Sequence, residues 1–324
     1  MTTFSRAVMD LDLEAAAARI SAELREVVVK RLRRRGLVVA VSGGIDSACT
    51  AALAVRAFGP ERVQALLLPE RDSDPESTRL GGLLCDAFQI ERTVEDIAPM
   101  LEAAGCYRHR EDAVRSVFPG FERGMRWKMV LDGDRLQRGK LSFWSVVVEL
   151  PDGTTRSFRL TAEAYLTILA ATNFKQRTRK MLEYFHADRL NYAVAGTPNR
   201  LEHDQGFFVK LGDGAADVKP IAALYKTQVY ALARHLGVVD EILRREPTTD
   251  TYSLSQSQEE FYFSLDYRRL DLLLWAKDHG VAPEAAAPEV GMSPEHVRHV
   301  YEDIDRKRRA AEYLHAPPIV IGGP

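Results

Sequence analysis

Apolar positions in residues 11–35 recur at helical spacing, with Leu13, Ile20, Leu24, Val27, Val28 and Leu32 on one stripe. The stripe ends in Arg31-Leu32-Arg33-Arg34-Arg35 and then Gly36. Cations suit the carbonyl end of a helix and Gly suits the position beyond it, so this run reads as a helix terminus rather than a nucleic-acid patch. The pattern then changes. Leu37-Val38-Val39-Ala40-Val41 is a continuous β-branched run, the form of a strand buried on both faces. Residues 48–55 are small and apolar, suited to a helix packed on a sheet. Residues 63–68 predict a second strand, residues 77–88 a helix, and residues 90–93 a third short strand. Strands alternating with helices predict an α/β fold built on a doubly wound parallel sheet, with ligands at the carboxyl ends of its strands.

Residues 105–165 break that rhythm. Residues 143–150 and 155–160 alternate as strands about the turn Pro151-Asp152-Gly153, so a β-hairpin-bearing insertion is expected in a single domain spanning 1–324. Helical character resumes near Ala162 and runs through Asn173 and Tyr184. Residues 191–195 read as another strand, and a charged helix over 294–312 precedes an extended end at 317–320. Tyr184, Phe185 and Tyr192 read as core residues.

Chemistry enters at Ser42-Gly43-Gly44-Ile45-Asp46-Ser47, between the first strand and its helix. That geometry aims backbone N–H groups and a positive helix end at one spot, where an anion binds. Gly43 and Gly44 permit left-handed angles and close approach, while Ser42 and Ser47 add hydroxyls. Asp46 would repel phosphate unless a cation lay between them. Mg²⁺ resolves the conflict, because it binds through one or two carboxylates plus phosphate oxygens. The Gly-Lys-Ser/Thr ending of a Walker loop is missing.

Composition narrows the field. Lys and Arg number 44 against 46 Asp and Glu, a net charge of −2, so no global basic field draws in nucleic acid. Cys49, Cys85 and Cys106 form no CxxC pair, which argues against structural zinc, a disulfide framework and sulfur transfer. Acidic residues occupy the place of a signal-peptide core, and no apolar run approaches the roughly 20 residues of a membrane span. A cytoplasmic protein without membrane or nucleic-acid partners is expected.

The loop resembles the pyrophosphate loop of the N-type ATP pyrophosphatases, with their adenine nucleotide alpha hydrolase-like, Rossmann-like fold. Four further stretches sharpen the resemblance: 173–179 (Asn-Phe-Lys-Gln-Arg-Thr-Arg), 196–202 (Gly-Thr-Pro-Asn-Arg-Leu-Glu), 206–217 (with Gly-Phe-Phe and Gly-Asp-Gly) and 220–229. With Glu246-Pro247-Thr248 after them, the order is similar to that of the NAD⁺ synthetases. The resemblance is dense over 36–95 and 170–250. It implies ATP-dependent amidation of deamido-NAD⁺ by ammonia through an acyl-adenylate, without a protein nucleophile. It also implies that Lys226, Thr197 and Thr248 contact ATP, and that Asp46 and Glu202 hold Mg²⁺. Arg177, Lys210 and Asp217 then fall to the dinucleotide, with Arg306 and Lys307 as a basic pair closing over the site. A homodimer is implied as well. The chain has no glutaminase module, so ammonia is expected either free or from a separate glutaminase.

Two departures leave the acceptor open. The insertion precedes the substrate helix, and residues 249–265 depart from the usual family stretch. An amide ligase of the same fold acting on another carboxylic acid therefore stands beside NAD⁺ synthesis. RNA modification and a non-catalytic nucleotide sensor are weaker readings, the first for want of a basic domain or paired cysteines. Retention of Asp46, Glu202 and Lys226 weighs against the second.

Overall fold

In the computed structural model, which describes residues 4–132, 143–245, 252–254 and 265–322, a four-stranded parallel sheet runs in the order β3-β2-β1-β7. Its strands are β1 (Leu37–Ala40), β2 (Val63–Leu67), β3 (Glu91–Val94) and β7 (Ala193–Ala195). Leu37 stands opposite both Val63 and Ala193. Successive residues of a strand face opposite ways, so the apolar run of β1 feeds two cores. Leu37 and Val39 join a cluster with α1 (Leu13–Glu26), α2 (Ile45–Phe58), α3 (Pro75–Phe88) and α8 (Lys226–His235). Val38 joins the other with α4 (Ala98–Ala103), α5 (Cys106–Val117) and α6 (Ala162–Leu190). The sheet is doubly wound, and its direction of growth reverses between β1 and β7. Ligands bind at such a switch point, beyond the carboxyl ends of the strands.

The first helix differs from its sequence reading at its end. Asp12 caps α1 through the Ala15 N–H at 3.0 Å, but past Glu26 the chain widens into a π-turn over Val27–Arg31. Arg33, not Gly36, takes the left-handed angle, with φ 55°. Gly36 answers a packing constraint instead, since a Cβ there would lie 2.2 Å from the Arg62 carbonyl oxygen.

The expected hairpin is β5 (Phe143–Glu149) with β6 (Thr155–Arg159), and β4 (Trp127–Asp132) adds a third antiparallel strand. Trp127, Met129, Val146 and Val148 pack against Ile168 of α6 and Tyr252. Residues 252–254 dock on β4: the Trp127 N–H donates to Ser253 Oγ at 2.9 Å, and the Leu254 N–H to the Trp127 carbonyl at 3.2 Å. Residues 252–254 and the three-stranded sheet thus hold each other in place. Helix α5 belongs to the main body, because Cys106 and Tyr107 lie in the sheet's second core.

A buried charge network joins these parts. Lys175 Nζ of α6, 2% exposed, meets Glu70 Oε1 at 2.6 Å and Asp72 Oδ2 at 2.8 Å in the loop after β2. Arg110 of α5, 1% exposed, reaches Asp72 at 2.8 Å, and the Tyr107 hydroxyl donates to Glu70 at 2.8 Å. The Arg110 guanidinium lies over the Trp127 and Tyr252 rings. Burial pushes the Asp72 carboxyl up, but Lys175 and Arg110 outweigh it and hold the group well below the usual carboxylate range.

The last part of the chain folds as a helical cluster of α7 (Arg200–Gln205), α10 (Tyr267–Asp278), α11 (Pro283–Val290) and α12 (Pro294–His315). Asp271 of α10 is fully buried and accepts the N–H of Thr227 at 2.7 Å, its hydroxyl at 2.7 Å and the Lys226 N–H at 3.3 Å. It anchors the first turn of α8. No helix among the described residues is long and apolar enough to cross a membrane.

Removing one partner of a buried ion pair strands the other. Lys175→Met is therefore expected to destabilise the protein by about 3–5 kcal/mol, read from urea unfolding. A loss no larger than that of a surface substitution would contradict the network's role. Asp271 gives a pH test. Burial pushes its carboxyl up to about 6 from an ordinary 3.8, despite the three donors. Its folded pKa is raised, so its contribution to folding is fully present below about pH 4 and is lost as pH rises through about 6. Against Asp271→Asn, the wild type is expected to lose up to about 3 kcal/mol between those limits. Parallel urea midpoints for the two proteins at both pH values would refute it.

Candidate active site

The loop between β1 and α2 is shaped from within. Gly43 takes φ 72°, and a Cβ there would lie 2.4 Å from the Ser77 carbonyl oxygen, so only glycine lets the loop lie against α3. Gly44 is the N-cap of α2. Ser47 donates its hydroxyl to the Gly44 carbonyl at 2.9 Å and accepts the Ser42 N–H at 3.2 Å. The buried hydroxyl of Ser47 thus fixes the bend, while Ser42 is exposed at its rim. The bend puts the N-terminus of a 14-residue helix at the carboxyl end of β1, where partial positive charge favours an anion.

Asp46 sits in the first turn of α2 and forms an ion pair with Lys226 Nζ, the first residue of α8. Its other oxygen accepts from Asn199 Nδ2 at 3.1 Å. Asn199 caps α7 in a capping box: its side chain accepts the Glu202 N–H at 3.2 Å, and Glu202 Oε2 accepts the Asn199 N–H at 3.1 Å. Asp46 and Glu202, 156 positions apart in the numbering, are therefore joined through one side chain. Glu202 is 8% exposed; burial, and then Asp46, push its carboxyl up to about 8, with Lys226 opposing. Burial alone would depress Lys226, but Asp46 and Glu202 hold its ammonium above the ordinary lysine value. Two carboxylates thus share one ammonium. Among the described residues no group of three or more His, Cys, Asp or Glu gathers for a metal. Two carboxylates beside a phosphate loop fit Mg²⁺, which completes its shell with phosphate and water oxygens.

These groups line one end of a cavity of about 850 Å³, within the range of small-molecule sites. Ser42, Gly44, Asp46, Ser47, Thr197, Glu202 and Lys226 all face it. Its long wall is α6, from Tyr165 to Glu183, about 27 Å of helix. Arg177 and Lys210 also line it. The Arg177 Nε donates to the Lys210 carbonyl at 3.3 Å, and Lys210 Nζ to the Tyr313 carbonyl of α12 at 2.8 Å. The two therefore tie α6, the loop after α7 and the last helix together at the rim.

Three residues expected at the substrate lie off the cavity. Asp217 accepts the Val194 N–H at 2.8 Å and the Tyr184 hydroxyl at 3.3 Å, fixing the end of β7. Arg306 and Lys307 pair with Asp303 of their own helix, at 3.1 and 2.9 Å. Helix α12 presents Ala310, Tyr313 and Leu314 to the cavity instead. Gly43 shapes the loop without lining the cavity, and Thr248 falls outside the described residues.

Other residues at the site escape sequence reasoning. Lys175, Lys180 and Glu183 line the cavity and are buried. Lys180 meets Glu183 at 2.6 Å, and burial pushes the carboxyls of Glu183 and Asp213 up. Asn199 did carry a signal: Asn-x-x-Glu after a strand is a capping box. Phe185, expected in the core, is 57% exposed.

The sequence profile of the NAD synthase family matches residues 16–120 and 140–312. The NH(3)-dependent NAD(+) synthetase of Mesorhizobium japonicum is 52% identical over 313 residues, 97% of this chain and 98% of that protein. That of Rhizobium meliloti is 52% identical over 318 residues, 98% of this chain and 95% of the relative. Among solved structures, an NMN synthetase from Francisella tularensis superposes with a TM-score of 0.65 at 22% identity, covering 97% of this chain and all of that one, a likeness of fold. The glycine bend, the carboxylates it meets and the near-complete alignment together show that the chain belongs to the NAD synthase family.

Proposed function

We propose that the chain makes NAD⁺ from deamido-NAD⁺, ATP and ammonia, with AMP and pyrophosphate as the other products. The observation that carries this reading is the meeting of Asp46, Asn199, Glu202 and Lys226 at the carboxyl ends of β1 and β7. Its 52% identity to a protein named for that reaction supports the choice of acceptor.

A carboxylate is a poor electrophile, so it must first become an acyl-adenylate. As the bond between the α and β phosphates opens, negative charge grows on the departing pyrophosphate. Lys226, fully buried, and the helix end at Gly44 stabilise that charge. Asp46 and Glu202 would hold Mg²⁺, which neutralises phosphate charge and fixes the chain of phosphates in place. Thr197, Arg177 and Lys210 orient nucleotide and acceptor from the cavity wall. Ammonia then displaces AMP without a protein nucleophile. Cys49, Cys85 and Cys106 are buried, and burial pushes each thiol up, which unfits them for a glutaminase of the chain's own. Ammonia comes free or from a separate glutaminase, and three unpaired thiols accord with the cytoplasm.

The reading includes a homodimer. Helix α6 exposes Leu166, Phe174, Met181 and Phe185, at 58, 37, 56 and 57%. Apolar side chains in register along one helix are covered in solution by a second copy of the same surface.

Two tests follow. Asp46→Asn and Glu202→Gln are each expected to lower kcat/KM for ATP by about 100-fold or more in an NAD⁺-formation assay with ammonium. Wild-type activity in either variant, or no NAD⁺ from the wild type, would count against the reading; the latter would turn it toward another acid. Met181→Asp with Phe185→Asp is expected to reduce the mass from light scattering to that of one 36.3 kDa chain. An unchanged mass would remove α6 from the interface.

A further inference from the structure

Glu202 rides on a very short helix. Helix α7 has six residues, fewer than two turns, so its own hydrogen bonds do little to hold its direction. Arg200 and Asp204, four positions apart, share one face of it, and Glu202, two from each, lies on the opposite face. The outer face is met by Arg308 of α12. Its Nε donates to Asp204 Oδ2 at 2.9 Å and its Nη2 to Asp204 Oδ1 at 2.9 Å, a bidentate pair. The same Nη2 donates to Asp278 Oδ1 of α10 at 2.6 Å, and Arg200 Nη2 closes on Asp278 Oδ2 at 2.8 Å. Four charges of alternating sign thus join α7, α10 and α12. Burial pushes the Asp278 carboxyl up, but Arg308 and Arg200 outweigh it and hold the group below the usual carboxylate value. The same stripe of α12 leaves α7 little slack. A Cβ on Gly206, just past α7, would lie 2.7 Å from Ala311 Cβ, and His315 Nε2 lies 2.8 Å from the His203 carbonyl oxygen.

We propose that Arg308 is a positioning residue: by gripping Asp204 and Asp278 from behind, it sets the direction of α7 and so fixes Glu202 beside Asp46 for a divalent cation. The inference rests on the proposed function, which gives Glu202 that duty. Octahedral Mg²⁺ tolerates little error in the placement of its carboxylates, so a tilt of α7 weakens the site even with both ligands present. The choice of arginine follows from the geometry. A planar fork serves two carboxylates at once, where an ammonium is a single point of charge. The network also reaches the helix of Lys226, because the Arg200 guanidinium lies 4.9 Å from the centre of the Tyr225 ring, the N-cap residue of α8.

The readout is metal binding. The full-length protein with a non-hydrolysable ATP analogue is titrated with Mn²⁺, and free Mn²⁺ is followed by electron paramagnetic resonance. Arg308→Met is expected to raise Kd for Mn²⁺ about tenfold or more. Arg308→Lys should recover part of that loss, since it keeps the charge without the fork. In a Glu202→Gln background, Arg308→Met should add less than about twofold, because the residue acts through Glu202. Arg298→Met, which breaks a pair with Glu284 elsewhere on α12, is expected to leave Kd unchanged. A merely structural role would lower the urea midpoint of Arg308→Met and leave its Mn²⁺ affinity at the wild-type value. That result, or an equal rise in Kd in the Glu202→Gln background, overturns the proposal. Asp204→Asn, expected to act like Arg308→Met, keeps the test decisive if the latter fails to fold. NAD⁺ formation by the wild type is measured alongside. Product together with an unmoved Kd in Arg308→Met sinks only the positioning role, whereas a wild type that neither binds Mn²⁺ nor forms NAD⁺ counts against the proposed function.

Discussion

Two carboxylates and one lysine, brought together largely buried at the point where the sheet changes its direction of growth, set the terms for the rest of the molecule. Each alone is costly to bury. Asp46 is tolerable there because Lys226 and Asn199 face it, and Glu202 because the capping box of α7 satisfies one oxygen. The arrangement remains acid-rich, with two carboxylates against one ammonium. A site in that state attracts cations and the phosphates that travel with them. The fold supplies the rigidity: Asp46 is fixed by α2, Glu202 by α7 and Lys226 by α8, whose first turn Asp271 holds from α10.

The insertion is part of the same construction. Its Trp127 ring lies under the Arg110 guanidinium, which holds Asp72 of the loop after β2, and the Trp127 backbone grips residues 252–254. Its inner face then becomes cavity wall. The stretch between residues 120 and 140 that the family profile skips thus contains β4, whose Met129 lines the cavity. Helix α6 links everything, with one face in the cavity, buried charges against the loop after β2, and an apolar stripe left outside. Its overall composition hides these separate duties, because each face answers to a different neighbour.

Much was legible in the chain itself. A β-branched run followed by Ser-Gly-Gly and small apolar residues can do little but make a buried strand, a tight bend and a packed helix, because those constraints are local. Period-two and helical spacing likewise placed β5, β6, α6 and β7. Tertiary structure alone decided which charges are buried and who partners them. Nothing in the spacing of 173–180 says that Lys175 and Lys180 are buried with Glu70, Asp72 and Glu183, while Asp217, Arg306 and Lys307 turned to neighbours away from the cavity. Phe185 went outside for the same reason. Sequence spacing records how the backbone repeats, but the cost of burying a charge or exposing a ring depends on what another segment places opposite it, and that is fixed only when the chain has folded.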